Sequence, residues 1–377
     1  MTLELRPAWA EVDLDAIRHN ASLLAGWVAP SQLCAVVKAR AYGHGAPQVA
    51  RAALEGGATW LAVALVEEGI ELRENGIDAP VLLLSEPPAE AMTAAVAANL
   101  TPTLYTHSGV LAAAAAARGP LTVHLKVDTG MHRVGAAPST AVALCHAVAA
   151  HPSLMLGGLW THFAVADEVD DPYTGDQLKM FAETVEALGG AGVRPPLLHA
   201  ANSAAAMWHP ATRLDMVRAG IALYGLSPAA PTSDGRLRAP VDQLQPAMSV
   251  KARVSYAKRV AAGERMSYGL RYTAPQDTLI ATVPLGYADG ITRSLGKTGG
   301  QVLVGGRRRP IAGTVTMDQI LVDCGPRSSV RAGDEVVLLG RQGDECIDAW
   351  EWAGRGATIA YEVVCGISSR VPRHFLS

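Results

Sequence analysis

A lysine that ends an apolar run is the residue of this chain best suited to covalent chemistry. The run Leu33–Val37 precedes Lys38, and Tyr42 with a Gly-His-Gly turn leads on into the helix-like segment Ala46–Leu54. Burial at a strand end disfavours the charged ammonium, which lowers the pKa and leaves a nucleophilic amine. Such an amine suits a Schiff base with an aldehyde such as pyridoxal phosphate (PLP). The ordinary alternative is a lysine whose stem packs on the core while its ammonium reaches water.

Four other apolar runs end in, or contain, side chains that could do chemistry. The sequence places these side chains at Lys126–Arg133, Thr161-His162, His199–Ser203 and Arg218–Ile221. A single polar residue at a strand end is often only a helix cap. Five such ends meeting at one place would make a much stronger case for function.

Strand-like and helix-like segments alternate along the first two thirds of the chain. The predicted strands are Leu33–Lys38, Trp60–Leu65, Pro80–Ser85, Thr101–Tyr105, Leu121–Val127, Met155–His162, Leu197–Ala201 and Met216–Tyr224. The predicted helices are Leu14–Trp27, Ala46–Leu54, Glu67–Glu74, Ala89–Ala98, Ser108–Ala117, Thr140–Ala149, Gln177–Leu188 and a short one from Ser203. Eight alternations favour an α/β fold of the (β/α)₈ barrel type, whose functional side chains lie at the carboxyl ends of the strands. The first strand is not followed by Gly-x-Gly-x-x-Gly, which weakens the Rossmann alternative.

The composition changes after Tyr224, where a loop rich in proline and polar residues includes Ser233 and Asp234. Short β-rich runs follow it, and they predict a second, mainly β domain. We therefore expect a barrel over residues 11–239 and a β domain over 240–377, joined by the N-terminal segment 1–10. The predicted segments of the second domain are Ala247–Val260, Thr278–Pro284, Gln301–Val304, Ile320–Asp323, Glu335–Leu339, a short helix Trp350–Gly356 and a last strand Thr358–Val364.

The overall composition is that of a compact soluble enzyme and not of a disordered chain. Of the 377 residues, 49% are hydrophobic, as in folded soluble proteins. The net charge is only −3, so we expect no nucleic-acid partner. The one basic cluster, Arg307–Arg309, is interpreted as a solvated turn. Five scattered cysteines without a CxxC pair argue against disulfides and a zinc site. The N-terminus lacks the pattern of a signal peptide. The scattered cysteines favour a reducing, cytoplasmic location. Polar residues interrupt the uncharged stretch Ala91–Ala117, so we expect no membrane span there.

The motif around Lys38 resembles the PLP-attachment motif of alanine racemases, and the resemblance extends through both predicted domains. In order along the chain, the matching motifs lie at residues 125–131, 161–167, 199–203, 217–225, 267–269, 286–290, 317–319 and 359–362. Each short motif alone is weak. Their order over two domains is specific, and the chain is identified as a member of that family.

The resemblance implies which residues hold PLP. Lys38 would carry the cofactor, and Arg218, oriented by His199, would face its pyridine nitrogen. Arg133 would contact the phenolic oxygen, held in place by Lys126 if that lysine is carbamylated as it often is in the family. His162 would lie beside the ring. The residues implied to bind the phosphate are Tyr42, Ser203, Gly220, Ile221 and Tyr361. Asn202, which precedes Ser203, is also expected to bind the cofactor.

The resemblance also implies a two-base mechanism. Inversion at an α-carbon needs a proton to leave one face and another to arrive on the opposite face. Lys38 would serve D-alanine and Tyr268 would serve L-alanine. Tyr268 would come from the partner subunit of a head-to-tail homodimer with shared active sites. Met317, together with Arg133, would contact the substrate, and the implied entrance-corridor residues are Asp167, Tyr287 and Arg293.

Two positions depart from the family pattern. Arg40 stands where Asn or Asp is usual, and Thr314 stands where Arg is frequent, which bears on substrate range and rate. The expected function is alanine racemisation that supplies D-alanine for peptidoglycan, and the alternative is a racemase of broader specificity, for serine or other amino acids. A PLP-dependent decarboxylase fits less well because such enzymes pair the pyridine nitrogen with a carboxylate. A non-catalytic PLP carrier would lack the second domain.

Overall fold

The computed structural model describes residues 6–232 and 235–377. Residues 1–5, which bear on the expected lack of a signal peptide, and the loop residues Ser233 and Asp234 lie outside that description. The chain forms two compact units. The barrel unit comprises residues 15–41 and 45–245, and the β unit comprises 6–14, 42–44 and 246–377. The units therefore divide at 14/15 and 245/246, whereas the sequence predicted boundaries at 10/11 and 239/240.

The barrel unit contains eight parallel strands, as predicted. Strand β1 (Ala8–Asp13) precedes them and belongs to the β unit. The barrel strands are β2 (Gln32–Val36), β3 (Trp60–Val63), β4 (Val81–Leu83), β5 (Thr103–Leu104), β6 (Leu121–Lys126), β7 (Leu154–Trp160), β8 (Leu197–His199) and β9 (Met216–Ala219). All eight end one to five residues before their predicted ends, and the buried run often continues past the last strand residue, as at Val37, Val127 and Thr161.

Backbone hydrogen bonds close these strands into a barrel. Two parallel sheets have the orders β4-β3-β2-β9 and β5-β6-β7-β8. A bridge between Leu82 and Thr101 joins them on one side. On the other side the Arg218 N–H donates to the Ala201 carbonyl at 3.0 Å. The carboxyl ends of all eight strands therefore meet at one end of the barrel.

Helices alternate with the strands and cover the barrel. They are α1 (Leu14–Val28), α2 (Ala46–Glu55), α3 (Val66–Glu74), α4 (Ala89–Ala97), α5 (His107–Ala116), α6 (Pro138–Ala150), α7 (Tyr173–Gly190) and α8 (Ser203–Trp208). One apolar cluster contains Val123 and Leu125 of β6, Leu144 and Val148 of α6, and Phe181 of α7. The uncharged stretch Ala91–Ala117 runs through α4, β5 and α5. Within residues 6–232 and 235–377, no helix combines the length and apolar character needed to cross a bilayer.

The β unit is mainly β, as predicted. Its strands after β1 are β10 (Met248–Arg253), β11 (Tyr256–Val260), β12 (Arg265–Met266), β13 (Tyr272–Thr273), β14 (Thr278–Val283), β15 (Gln301–Val304), β16 (Arg307–Pro310), β17 (Ile320–Asp323), β18 (Glu335–Gln342), β19 (Glu345–Ile347) and β20 (Arg373–Leu376). The largest sheet has the order β16-β15-β18-β10-β1-β20, with β19 paired to β18. A second sheet is β11-β14-β17, and β12 with β13 forms a hairpin. The helices are α9 (Ala349–Gly356) and α10 (Ala360–Gly366).

Two local predictions for the β unit are wrong. The segment predicted as the last strand forms α10, because its buried residues Ala360, Val363, Val364 and Ile367 recur at helical spacing. The arginine triplet interpreted as a turn forms β16 instead. Arg308 lies within 2.9 Å of carboxylates of Glu345 and Glu351, and these ion pairs favour an ordered strand.

Candidate active site

Lys38 lies two residues beyond the end of β2, at the start of an unusual backbone turn. Ala39, Arg40, Ala41 and Tyr42 all have positive φ, between 51° and 55°. The left-handed helical conformation costs a non-glycine residue roughly 1–2 kcal/mol. Such a turn persists only where its surroundings hold it, and it fixes the direction in which the chain leaves the strand.

Glu68 on α3 holds this turn from the barrel side. Its carboxylate accepts hydrogen bonds from the N–H groups of Ala39 at 2.6 Å, Ala64 at 2.8 Å and Leu65 at 3.1 Å. One carboxylate thus joins the backbone next to Lys38 to the end of the neighbouring strand β3. Glu68 is a positioning residue that sequence analysis missed, because a glutamate in the first turn of a helix resembles an ordinary capping residue.

Lys126 is buried at the end of β6. Its ammonium lies 4.5 Å from the centre of the Trp160 ring, and the Arg218 guanidinium lies 4.5 Å from the same ring. Burial, together with the positive charges of Arg133 and Arg218, lowers the pKa of Lys126 to about 7. Near neutral pH this side chain is therefore partly an uncharged amine.

Arg218 is buried on β9 and donates only to neutral acceptors. Its guanidinium reaches the carbonyl of Thr161 at 2.7 Å, the carbonyl of Ala200 at 2.9 Å, Nδ1 of His199 at 2.8 Å and Nδ1 of His162 at 3.3 Å. Burial lowers the pKa of Arg218 to about 10, so the group remains a cation at neutral pH. The barrel therefore holds a positive charge in a fixed orientation.

Two neutral histidines continue this hydrogen-bonded chain. Because Arg218 donates to Nδ1 of His199, the proton of His199 lies on Nε2, which donates to Nδ1 of His124 at 3.0 Å. Burial and the charge of Arg218 hold the pKa of His199 well below its usual range and lower that of His124 to about 3. His199 was predicted to orient Arg218. His124 was missed, although its place in the buried strand β6 was a signal.

The loops after β8 and β9 bring backbone donors and a hydroxyl together. The Asn202 side chain caps α8 by accepting from the Ala205 N–H at 3.0 Å. The Ser203 hydroxyl accepts from the Gly220 N–H at 2.9 Å and the Ala222 N–H at 3.4 Å. Ile221 is buried beside them. A hydroxyl at the first residue of a helix, oriented by backbone N–H groups, suits a phosphate group.

Tyr42 and Tyr361, the two predicted tyrosines of the phosphate-binding set, lie close together in the β unit. Their ring centres are 6.3 Å apart. The close approach depends on Gly43, since a Cβ atom there would lie 2.4 Å from the Val364 carbonyl of α10. Burial raises the pKa of the Tyr42 phenol, which keeps it protonated and able to donate a hydrogen bond.

Four other predicted residues line one groove on the β unit. Tyr268, Tyr287, Arg293 and Met317 surround a space of about 490 Å³. Tyr268 is 73% exposed and Met317 is 52% exposed, which is unusual for large side chains. Asp167, the third predicted entrance-corridor residue, is exposed on the surface of the barrel unit.

The lowered pKa of Lys126 has a measurable effect on stability. The unfolded chain binds a proton on this lysine up to its usual pKa, whereas the folded chain releases it near pH 7. The unfolded state therefore binds more protons between about pH 7 and pH 10, and stability rises with pH in that window. We expect the free energy of unfolding, measured by urea titration in buffer freed of carbon dioxide, to rise by a few kcal/mol relative to Lys126→Met. A constant difference from pH 7 to pH 10 would contradict the lowered pKa.

Comparison with known proteins agrees with the division of the chain into two units. The family models "Alanine racemase, N-terminal domain" and "Alanine racemase, C-terminal domain" match residues 12–228 and 247–375. The chain belongs to the alanine racemase family. The alanine racemase of Symbiobacterium thermophilum is 47% identical over 98% of this chain and 97% of its own length.

Solved structures of alanine racemases share the whole fold. The alanine racemase of Streptomyces coelicolor A3(2) is 40% identical, with a TM-score of 0.93 over 99% of this chain and 98% of its own. A histidine racemase from Leuconostoc mesenteroides is 30% identical, with a TM-score of 0.90 over 99% of both chains. The alanine racemase fold predicted from sequence, a barrel followed by a mainly β domain, is thereby confirmed.

Proposed function

We propose that this chain interconverts L-alanine and D-alanine with PLP as cofactor, and that it supplies D-alanine for peptidoglycan. The observation that carries the proposal is the family match over both domains of a chain that gathers Lys126, His162, His199 and Arg218 at one end of its barrel. An isomerase of this kind needs a fixed cofactor and two opposed proton carriers, and the chain offers residues for each task.

The donor set fits PLP. Ser203, Tyr42 and Tyr361 would offer hydroxyl donors and Ile221 a backbone donor to a phosphate, and the Gly220 N–H, which donates to the Ser203 hydroxyl, would orient it. Lys38 offers the amine for attachment, Arg218 a cation for the pyridine nitrogen, and Arg133 a cation for the phenolic oxygen. When bound, PLP withdraws electrons from the α-carbon of an amino acid and so makes its α-proton removable. The residues that would bind or orient PLP are Lys38, Tyr42, Arg133, His162, His199, Asn202, Ser203, Arg218, Gly220, Ile221 and Tyr361.

Arg218 controls the protonation of the ring nitrogen. A guanidinium that donates hydrogen bonds cannot readily give up a proton, so the nitrogen beside it stays unprotonated. With its ring nitrogen kept unprotonated by Arg218, PLP would supply a weaker electron sink, which would favour racemisation over transamination. His199 orients Arg218 as a neutral acceptor, and His124 in turn fixes the tautomer of His199.

Replacing Arg218 with glutamate reverses this control. A carboxylic acid can share a proton with the ring nitrogen, so we expect Arg218→Glu to lose racemisation and to form more transamination product per turnover. Pyruvate and both alanine enantiomers would be measured from one reaction mixture. Arg213→Glu, on an arginine of the same unit that the site does not use, is the control. An unchanged ratio of racemisation to transamination would refute this role.

Lys38 and Tyr268 move the protons. The Lys38 amine would take the α-proton of D-alanine, and the phenolic oxygen of Tyr268 that of L-alanine, each on its own face of the α-carbon. Arg133 and Met317 would bind the substrate, while Asp167, Tyr287 and Arg293 would line its approach. The groove shared by Tyr268, Tyr287, Arg293 and Met317 supports this grouping.

Tyr268 would act in the partner subunit of a head-to-tail homodimer. Its phenol and the Met317 side chain are exposed on the β unit, so a second chain can reach both. Residues that serve a neighbouring active site must be exposed in the isolated chain. This geometry supports two shared active sites in each dimer.

Lys126 would be carbamylated. Only an uncharged amine reacts with carbon dioxide, and a pKa of about 7 leaves much of Lys126 uncharged at neutral pH. The resulting anion would lie near the cations of Arg133 and Arg218 and balance their charge. After equilibration with ¹³C-bicarbonate, we expect a carbamate signal in the carbon NMR spectrum that Lys126→Ala lacks. A carbamate signal in both the wild-type protein and Lys126→Ala, or in neither, would contradict carbamylation of Lys126.

The function is tested with purified protein, added PLP and single amino-acid enantiomers. An assay coupled to D-amino-acid oxidase would follow L-alanine, L-serine and, because of the histidine racemase among the similar structures, L-histidine. We expect alanine to react with the highest kcat/KM. No racemisation of alanine would overturn the proposal, and a preference for another amino acid would correct the substrate.

A further inference from the structure

Tyr268 lies on a strained turn that presents its side chain to solvent. The turn connects β12 and β13, which pair over only two residues each. Ser267, Gly269 and Leu270 have φ values of +63°, +76° and +51°. Positive φ is unfavourable for serine and leucine, so interactions outside the turn must hold this conformation. Because the phenol is 73% exposed, packing of the side chain does little to fix its position.

A pair of reciprocal hydrogen bonds joins this turn to a neighbouring segment. The buried Thr314 hydroxyl donates to the Tyr268 carbonyl at 2.8 Å, and the Ser267 hydroxyl donates to the Thr314 carbonyl at 2.7 Å. Gly313 permits the approach, since a Cβ atom there would lie 2.9 Å from the Ser267 Cβ atom. We call this pair of hydrogen bonds the Ser267–Thr314 clasp.

The hairpin has a second, independent anchor. The Tyr272 hydroxyl donates to the Asp323 carboxylate of β17 at 2.6 Å. This bond anchors β13 at Tyr272, which pairs with Met266 next to the turn, whereas the clasp acts on the backbone of Tyr268 itself. The loss of the clasp would therefore leave the hairpin attached and free only the turn that carries the phenol.

We propose that the Ser267–Thr314 clasp positions the Tyr268 phenol for proton transfer, which makes Thr314 a positioning residue of the racemisation. This inference rests on the proposed role of Tyr268. It also assigns a role to Thr314, the residue that stands where arginine is frequent in the family. A threonine hydroxyl that bonds the carbonyl of the reacting residue acts on its geometry and not on its chemistry.

The test compares the loss of α-deuterium from the two alanine enantiomers. Thr314→Val removes the hydroxyl and keeps the shape, so we expect exchange from L-alanine to fall about tenfold or more while exchange from D-alanine and the KM of alanine stay near wild type. Thr314→Ser restores the donor and should return both rates to within about threefold of wild type. Thr298→Val, which alters a hydroxyl that bonds the Ser294 carbonyl, is the matched control and should change neither rate.

The outcomes of this experiment distinguish a wrong role for the clasp from a wrong role for Tyr268. Wild-type exchange in Thr314→Val, with exchange from L-alanine lost in Tyr268→Phe, would overturn the clasp and leave the proposed function intact. Equal loss from both enantiomers in Thr314→Val would also overturn it. Retained exchange from L-alanine in Tyr268→Phe would overturn the proposed role of Tyr268 and the clasp together, while alanine racemisation by the wild-type protein would still support the proposed function. If Thr314→Val does not fold, Ser267→Ala breaks the other bond and is judged by the same two rates.

Discussion

The substitution Lys38→Ala should abolish racemisation and the covalent attachment of PLP. The lysine supplies both the amine for attachment and one of the two proton carriers, so the rate should fall by about 10⁴-fold or more. The purified wild-type protein should be yellow, and reduction with borohydride should leave a pyridoxyl group on the Lys38 peptide in a mass spectrum.

The control for this experiment is Lys179→Ala, which removes an exposed lysine of α7. It should keep the yellow colour, the labelled peptide and the activity. Recovery of the pyridoxyl group on any lysine other than Lys38 would contradict the assignment.

The substitution Tyr268→Phe should nearly abolish racemisation while PLP remains bound. It removes a single hydroxyl from an exposed side chain, so the fold should not change. Loss of one proton carrier should lower the rate of racemisation by about 10²–10⁴-fold. Tyr256→Phe removes the hydroxyl of another exposed tyrosine of the β unit and should keep full activity. Full activity of Tyr268→Phe would mean that this phenol carries no proton.

Shared active sites can be tested with the same two variants. A dimer of one Lys38→Ala chain and one Tyr268→Phe chain has one intact site if each site uses Lys38 of one subunit and Tyr268 of the other. Random mixing should therefore restore up to about one quarter of wild-type activity from two inactive proteins. Failure of restoration, with subunit exchange demonstrated by mass spectrometry, would argue against sharing.

The architecture of the barrel could be predicted because its signals are local. Apolar runs such as Leu121–Lys126 and Ala/Leu-rich helices such as Pro138–Ala150 differ clearly in length and composition. The ends of these segments carry the polar residues, and a barrel brings the ends together. This is why Lys126, His162, His199 and Arg218 could be grouped without coordinates.

The interactions that position the site could not be predicted in the same way. The left-handed turn after Lys38 consists of residues that ordinarily avoid positive φ, so no composition signal marks it. The hydrogen bonds from the Ala39 N–H to Glu68 and between His124 and His199 join residues 29 and 75 positions apart, so the sequence does not reveal them. Tyr361 was placed on a strand that is in fact α10, since valine and isoleucine there suggested a strand while their spacing was helical.

The strain of the β12–β13 turn was equally hidden in the sequence. The motif Ser267-Tyr268-Gly269 marked Tyr268 as a candidate, but only the structure shows that Thr314 holds its carbonyl. In the sequence, Thr314 stands out only as a departure from the family pattern, because its hydrogen-bond partner lies 46 residues away. The hydrogen bond explains how a small polar residue can matter at that position.

The central claim is that Lys38 and Tyr268 each serve one face of the α-carbon. The most direct test is the uptake of solvent deuterium at the α-carbon by the Tyr268→Phe variant, measured by proton NMR from each alanine enantiomer separately. We predict that D-alanine still exchanges its α-proton, through Lys38, whereas L-alanine does not. Equal loss of exchange from both enantiomers, with PLP still bound, would contradict the assignment of one base to each face.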